Sequence, residues 1–279
     1  MAYGLAAFFC IGLLAADASG QQPINPDRPD VTNSAHLVDA GTLQVEIGGI
    51  YTRQSTSEHR SGSPISLRLG LFDWIEARGS LDGGVTSSDS DRTVAGFGNV
   101  ELGAKIRVWR DSAGNSLLAV APQVNLPTAS VEKGLGTGQF DYLLAALTGF
   151  DIGTRAHLDV NYAIGSIGVE DGEPRFAQHL ASASLNTSIG RWSPFFETFM
   201  ISRDRPEGSA IVALNTGTLY LLRPNFALDG GVELGISDAA PAVAAFAGFS
   251  FALPAFRARS QSRLRRSVRR RPPTRLRSR

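Results

Sequence analysis

The residues of this chain that could do chemistry are charged side chains spaced two apart within apolar runs. Glu101, Lys105 and Arg107 alternate with apolar residues between Val100 and Val108. Because successive side chains of a strand point to opposite faces, this spacing predicts one charged face and one apolar face. Opposite signs on neighbouring strands, such as Arg78 and Glu101, predict cross-strand ion pairs. Taken over all strands, the residues predicted to line a lumen and set its selectivity are Glu46, Arg68, Glu76, Arg78, Glu101, Lys105, Arg107, Arg155, His157, Asp159, Glu197, Asp229 and Glu233.

The histidines are the side chains best suited to acid–base or metal chemistry, but they are scattered along the sequence. His157 and Asp159 share one strand face and could share a proton or bind a ligand, although a hydrogen-bond network in the lumen is the simpler interpretation. Outer-membrane lipases use a Ser/His pair, yet the strand phase places His179 on the opposite face from Ser182 and Ser184. We therefore predict no catalytic residue, no metal site and no cofactor, and expect a protein that is not an enzyme.

Two loops resemble ligand-binding motifs only superficially. Residues 87–91 alternate acidic oxygens as calcium loops do, but they lack the glycine and the distant glutamate of an EF-hand. Residues 134–138 are glycine-rich, but no strand-to-helix context surrounds them. Both are expected to be solvated external loops.

The elements that position the charged face are about twelve stretches of roughly ten residues, separated by gaps that alternate between short and long. The short gaps are predicted near residues 72–73, 111–114, 151–153, 190–191 and 223–224, and the long ones near 54–64, 84–96, 127–137, 166–176, 203–209 and 236–242. Outer-membrane barrels have short periplasmic turns, longer external loops and an even number of strands. The pattern predicts an all-β fold, a transmembrane antiparallel β-barrel of about 12 strands over residues 42–256.

A soluble β-sandwich or lipocalin-like barrel would also alternate, but with its apolar face inward. Charges on nearly every polar face and the alternation of gap lengths favour the membrane barrel. A mean hydropathy of −0.03, without any run of about 20 apolar residues, excludes a helical membrane protein.

The two ends of the chain differ from the barrel region. Residues 1–20 are predicted to be a signal peptide, with an apolar stretch from Leu5 to Leu14 and the only cysteine, Cys10. Residues 21–41 are expected to be a periplasmic segment able to fold inward as a plug. Residues 257–279 hold 11 of the 27 Lys and Arg residues and no acidic residue, which predicts a disordered tail. Such a tail could bind anionic partners, but a frame-shifted reading of a GC-rich gene would look the same, so it supports no function.

A motif of four residues, Asp27, Arg28, Pro29 and Asp30, lies just ahead of the first strand. Together with residues 69–78, 98–105, 122–128 and 220–229, it resembles a family of bacterial outer-membrane, transporter-like proteins associated with the meta-pathway of phenol degradation. The resemblance implies a barrel that passes or handles small, often aromatic, hydrophobic compounds. The chain departs from the family where the Arg-rich tail continues beyond the last strand.

Taken together, the sequence predicts a porin-like channel of the bacterial outer membrane for passive uptake or efflux of small, aromatic or hydrophobic compounds. A barrel of 12 strands is narrower than porins of 16 to 18 strands, so its lumen is either a narrow pore or a plugged one. The alternatives are a structural or adhesive barrel and, less favoured, an envelope lipid-modifying enzyme. Expected partners are outer-membrane lipid and lipopolysaccharide, the barrel-assembly machinery and an unknown small molecule; nucleic acid is not expected.

Overall fold

The computed structural model describes residues 23–170 and 173–256, so the predicted signal peptide and Arg-rich tail lie outside the described residues. Within these ranges the chain forms antiparallel strands joined by turns and loops. No helix in this part of the chain is long and apolar enough to cross a membrane. The strands are β1 (Thr42–Arg53), β2 (His59–Phe72), β3 (Ile75–Ser88), β4 (Thr93–Gly96), β5 (Val100–Arg110), β6 (Ser116–Leu126), β7 (Asp141–Ile152), β8 (Ala156–Ile167), β9 (Phe176–Thr187), β10 (Trp192–Ile201), β11 (Ile211–Arg223), β12 (Phe226–Gly235) and β13 (Val243–Pro254).

The sheet closes on itself. β1 pairs with β2 on one side and with β13 on the other, and each remaining strand pairs with its neighbours around the ring. β4 is the exception, because it pairs only with residues 85–88 of β3, while β5 pairs with residues 75–81 of that strand. The ring therefore contains 12 of the 13 strands, and the predicted transmembrane barrel of about 12 strands is confirmed.

Short turns and long loops alternate around the barrel as the sequence predicts, but the first two long loops are shorter than expected. β2 begins at His59 and β3 ends at Ser88, and these two ends pair with each other. The apolar alternation begins after His59 in β2 and stops before Ser88 in β3, whereas the ladder of backbone hydrogen bonds includes both residues because it does not depend on side-chain polarity. Sequence pattern alone therefore placed the start of β2 too late and the end of β3 too early.

Pro122 lies within β6, where a missing backbone N–H has to be accommodated. The pairing of β6 with β5 is interrupted between Gln123, opposite Gly103, and Val120, opposite Ile106. Pro122 falls in this gap, so the unpaired position expected for a strand proline is present.

The barrel is apolar outside and polar inside, the reverse of a soluble β-barrel. Exposed aromatic side chains near the turn end include the stacked pair Phe72 and Trp74, and Trp192, which contacts the half-buried Tyr220. Beside a small apolar cluster on β6–β8, the buried side chains include many polar and charged ones: Gln44, Glu46, Arg68, Glu76, Lys105, Asp159, Asn161, Ser182, Ser184, Glu197, Asn215, Asp229 and Ser250. Such a distribution suits a wall between lipid and a polar lumen.

Candidate functional site

The candidate site is the charged interior of the barrel together with residues 23–41, which precede β1 and lie inside the turn-end half of the lumen. This segment has no helix or strand. Its backbone groups must therefore find other partners when water is excluded. At the turn end, the N–H of Ile24 donates to the carbonyl of Pro224. Deeper in the lumen, side chains of the barrel wall are the hydrogen-bond partners of the segment.

Asp27 lies at the centre of this arrangement, with cations from three strands on its carboxylate. Lys105 Nζ of β5 is 3.0 Å from Oδ2, and Arg78 Nη2 of β3 is 2.8 Å from the same oxygen. Arg68 Nη1 of β2 is 3.2 Å from Oδ1. Burial raises the pKa of the Asp27 carboxyl, but the positive charges of Arg68, Lys105 and Arg78 outweigh it and hold the pKa below its usual value.

Two wall glutamates complete the cluster. Arg68 donates from Nε to Glu76 over 3.0 Å and pairs with Glu46 over 3.3 Å. Together with Asp27, the cluster thus contains three cations and three carboxylates, and Arg68, Lys105, Glu46 and Glu76 are fully buried. Buried charges are tolerated when they are paired and hydrogen-bonded, and breaking such a pair is strongly destabilising.

The same side chains also bind the backbone of the segment. Glu46 accepts from the N–H groups of Asp27, over 3.3 Å, and Arg28, over 3.0 Å. Lys105 donates to the carbonyl of Ser34 over 2.7 Å. Glu76 accepts from the N–H of Val38 over 2.7 Å. Charged groups of the wall therefore satisfy backbone groups that would otherwise be buried without partners.

Arg28 lies across two glycines of the wall. Gly48 of β1 and Gly248 of β13 are partners in the sheet, and the guanidinium of Arg28 occupies the space that a side chain at either position would take. A Cβ at Gly248 would be 2.8 Å from Arg28 Nη2, and one at Gly48 would overlap the guanidinium. The guanidinium pairs with Asp229 of β12 over 3.2 Å. The two glycines and Asp229 thus form a seat for this one side chain.

The following residues contact the opposite wall. Glu197 of β10 accepts from the N–H of Val31 over 3.1 Å and from that of Thr32 over 2.5 Å. Asp30 accepts from the hydroxyl of Ser184 on β9 over 2.6 Å. Burial and the negative charge of Glu197 raise the pKa of the Asp30 carboxyl well above its usual value. Contacts on both walls show that the segment crosses the lumen.

The residues predicted from the charged face divide into two groups. Glu46, Arg68, Glu76, Arg78, Lys105, Glu197 and Asp229 contact the segment directly. Glu101, Arg107, His157, Asp159 and Glu233 lie on the polar face of the strands without a direct hydrogen bond to the segment in the described structure.

Arg155 and the predicted Arg78–Glu101 pair differ from expectation. Arg155 lies exposed in the turn before β8, so it does not line the lumen. Arg78 is in register with Gly103 rather than Glu101, and its guanidinium turns to Asp27 and to Asn33, over 2.9 Å. Glu101 instead accepts from Gln123 over 2.8 Å.

His157 forms a separate group near the turn end. Its Nε2 is 3.1 Å from Asp159 and its Nδ1 is 2.6 Å from Asp151. The ring of His36, from the segment, lies 5.4 Å away between centroids. In the described part of the chain no group of three or more ligands is arranged to hold a metal ion.

Uncharged residues of the polar face were missed by a search for charges. Asn161 donates to the carbonyl of Asn33 over 2.9 Å, and Asn215 donates to Glu197 over 2.8 Å. Ser184 binds Asp30, as described above. Their positions in the strand alternation could have indicated them, since they share the phase of the charged residues.

The segment separates cavities at the two ends of the lumen. At the loop end, a cavity of about 1080 Å³ is bordered by Arg60, Asp82, Arg205 and Asp238, and a smaller one of about 350 Å³ reaches Arg28, Ser66 and Ser80. At the turn end, cavities of about 250 Å³ and 360 Å³ are bordered by the segment itself. The charged cluster around Asp27 lies between them.

Comparison with known proteins identifies the family. The family model described as "Putative MetA-pathway of phenol degradation" matches residues 26–253. The chain belongs to this family. The match begins at the Pro26–Asp30 motif, so it includes the segment that crosses the lumen as well as the barrel.

Solved structures show the same fold. An outer membrane channel from Pseudomonas putida F1 superimposes with a TM-score of 0.63 at 11% identity, covering 82% of this chain and 100% of that chain. The NanC porin superimposes with a TM-score of 0.55 at 11% identity, covering 74% of this chain and 98% of that chain. None of the curated proteins matches the sequence. The family's barrel fold is therefore that of outer-membrane channels and porins.

Proposed function

We propose that this family member is a channel of the bacterial outer membrane for small compounds, and that residues 23–41 act as a plug. The observation that carries the proposal is how the lumen is filled. In the described structure, no backbone–backbone hydrogen bond joins residues 25–38 to a barrel strand. Residues 25–38 of the plug are thus held to the strands by hydrogen bonds that involve side chains, so this part can leave the lumen without unpairing the sheet.

The proposed location and orientation rest on the outer surface and on the connections. The exposed apolar face suits contact with lipid and lipopolysaccharide, and short turns face the periplasm in outer-membrane barrels. In this orientation the plug enters from the periplasmic end and the large cavity opens outward. The family description, which names phenol degradation, supports small aromatic compounds as cargo.

A disulfide that pins the plug to the wall tests this function. The side chains of Asp30 and Ser184 are in contact at 2.6 Å, and the only cysteine of the chain, Cys10, precedes the described residues. We expect the Asp30→Cys/Ser184→Cys double variant to conduct little in planar bilayers when oxidised and to conduct ions after reduction. The single Ser184→Cys variant, treated with the same oxidant and reductant, is the control.

Two results would contradict the proposal. If oxidised and reduced channels conduct equally although mass spectrometry shows the cross-link, residues 23–41 are not a gating plug. If neither state conducts, and removal of residues 23–38 from a folded barrel opens no pore, the protein is a non-transport barrel.

A further inference from the structure

We propose that Asp27 occupies a binding site for the carboxylate of the transported compound, so that the cargo is a small organic acid. The inference rests on the proposed channel function and deepens it by naming a substrate class. On this view the plug places its own carboxylate where the carboxylate of a permeating acid binds once the plug has left.

The geometry around Asp27 is that of an anion site. Both carboxylate oxygens are contacted. Lys105 Nζ lies 3.2 Å from Oδ1 and 3.0 Å from Oδ2. Arg68 contacts Oδ1 and Arg78 contacts Oδ2. Charge-assisted hydrogen bonds of this kind are stronger than neutral ones. Because the three cations come from three different strands of the barrel wall, they remain attached to the lumen when the plug that supplies the carboxylate leaves.

The charge balance shows why this site would take an anion when the plug leaves. Without Asp27, the carboxylates of the described residues that lie within 4 Å of Arg68, Arg78 or Lys105 are those of Glu46 and Glu76. Glu76 is 3.9 Å from Arg78 and 3.8 Å from Lys105, and its closest partner is Arg68. An uncompensated positive charge in a confined site is unfavourable. A small anion restores the balance, and a neutral molecule does not.

Departure of the plug also frees hydrogen-bond donors. Lys105 loses the carbonyls of Ser34 and His36, and Arg78 loses the side chain of Asn33. These freed N–H groups lie beside the positions of the Asp27 oxygens, so an arriving carboxylate finds several donors at once. Hydroxyl or amide compounds would satisfy some donors but would leave the charge unpaired.

The site lies on the path between the two ends of the lumen. Asp27 borders the turn-end cavity of about 250 Å³. Ser66 and Ser80, which border the loop-end cavity of about 350 Å³, lie two residues from Arg68 and Arg78 along their strands. A compound that crosses from one cavity to the other therefore passes the three cations.

Chemical rescue of Asp27→Ala with acetate tests the site directly. The variant is refolded into detergent, and folded barrel is quantified by its heat-modifiable mobility on gels. At about ten times its dissociation constant, acetate should raise the ratio of folded to unfolded protein about tenfold, because it binds only the folded form. Sodium chloride at equal ionic strength should raise this ratio less, because one chloride ion cannot occupy the positions of both carboxylate oxygens, and neutral acetamide should not raise it. If Asp27→Ala does not fold without acetate, the assay still tests the site, because acetate should then restore folding.

Two control variants separate a carboxylate site from a general salt effect. Asp30→Ala removes a carboxylate from the same plug, but the partner of Asp30 is the hydroxyl of Ser184 rather than a cation, so acetate should not rescue it. Arg78→Gln added to Asp27→Ala should abolish the rescue. Equal responses to acetate, chloride and acetamide, or equal rescue of Asp27→Ala and Asp30→Ala, would overturn the inference.

Conductance measurements test the carboxylate site separately from the proposed channel function. Asp27→Ala channels are measured in planar bilayers with sodium acetate or sodium benzoate against sodium chloride. A carboxylate preference that Arg78→Gln removes supports the inference, and conductance without rescue or preference overturns it. If acetate rescues folding but neither the variant nor the reduced cysteine pair conducts, the anion site stands and the channel function fails.

Discussion

Substitution of Glu197 by glutamine should release the plug from one wall while leaving the barrel intact. Glu197 is fully buried on β10 and holds two successive N–H groups of the plug, those of Val31 and Thr32. Its Oε2 also accepts from Asn215. Glutamine has nearly the same shape, but it carries no charge and offers one acceptor oxygen in place of two. If that oxygen faces Val31 and Asn215, the glutamine NH₂ group faces the N–H of Thr32, and two donors then oppose each other.

The size of the effect follows from these contacts. A hydrogen bond to a charged group contributes about 1.5–3 kcal/mol. Loss of one bond to the plug and weakening of the other should therefore destabilise the seated plug by about 3 kcal/mol. Since about 1.4 kcal/mol is a tenfold change in an equilibrium constant, the ratio of released to seated plug should rise about 100-fold. The barrel strands keep their own pairing, because none of these bonds belongs to the sheet.

Single-channel recording in planar bilayers measures this ratio as open probability. The matched control is Glu233→Gln, the same change on the polar face of β12. Glu233 is half-buried, and no hydrogen bond or ion pair joins it to the plug in the described residues. We expect a large rise in open probability for Glu197→Gln and little change for Glu233→Gln. If Glu197→Gln is folded but opens no more often than the wild type, Glu197 does not hold a gating plug.

Three further predictions follow from the same geometry. Gly48→Val should displace the Arg28 guanidinium, which occupies the space of a side chain at position 48. Protease cleavage within the plug should therefore become faster. Unchanged cleavage would contradict the binding of Arg28 against Gly48 and Gly248. Arg78→Gln should lower the free energy of unfolding by about 3–5 kcal/mol because it leaves Asp27 short of a partner, whereas Arg155→Gln in the exposed turn should lower it little; equal urea midpoints would refute the difference. Asp30, with an ordinary pKa of 3.8 and a raised pKa in the folded protein, binds its proton more tightly when folded, so its contribution to stability is complete below pH 3.8 and is lost as pH rises through the raised value. Asp30→Asn should therefore flatten the decrease of the melting temperature over that pH range, and parallel curves for the two proteins would count against the raised pKa.

The pairing of Arg78 shows where prediction from sequence stopped. Strand alternation correctly put Arg78 and Glu101 on the polar face of adjacent strands. Which residues meet across those strands depends on register, and here Glu101 is opposite Ser80. Register is decided by turn geometry and by backbone pairing along the whole strand. Arg155 was misplaced for a related reason, since the turn before β8 ends at residue 155 rather than at 153 as the alternation indicated.

Patterns in the sequence were enough to predict the closed barrel. A period of two along the chain and an alternation of short and long gaps are local properties, and they were sufficient for a closed barrel with its charges inside. What fills the lumen was decided by the tertiary structure. Lys105 contacts Asp27 from 78 positions away, and no local pattern encodes that distance. The partner of a buried charge is set by which segment the closed wall brings within reach, so Asp27 gained its three cations only when the barrel closed around it.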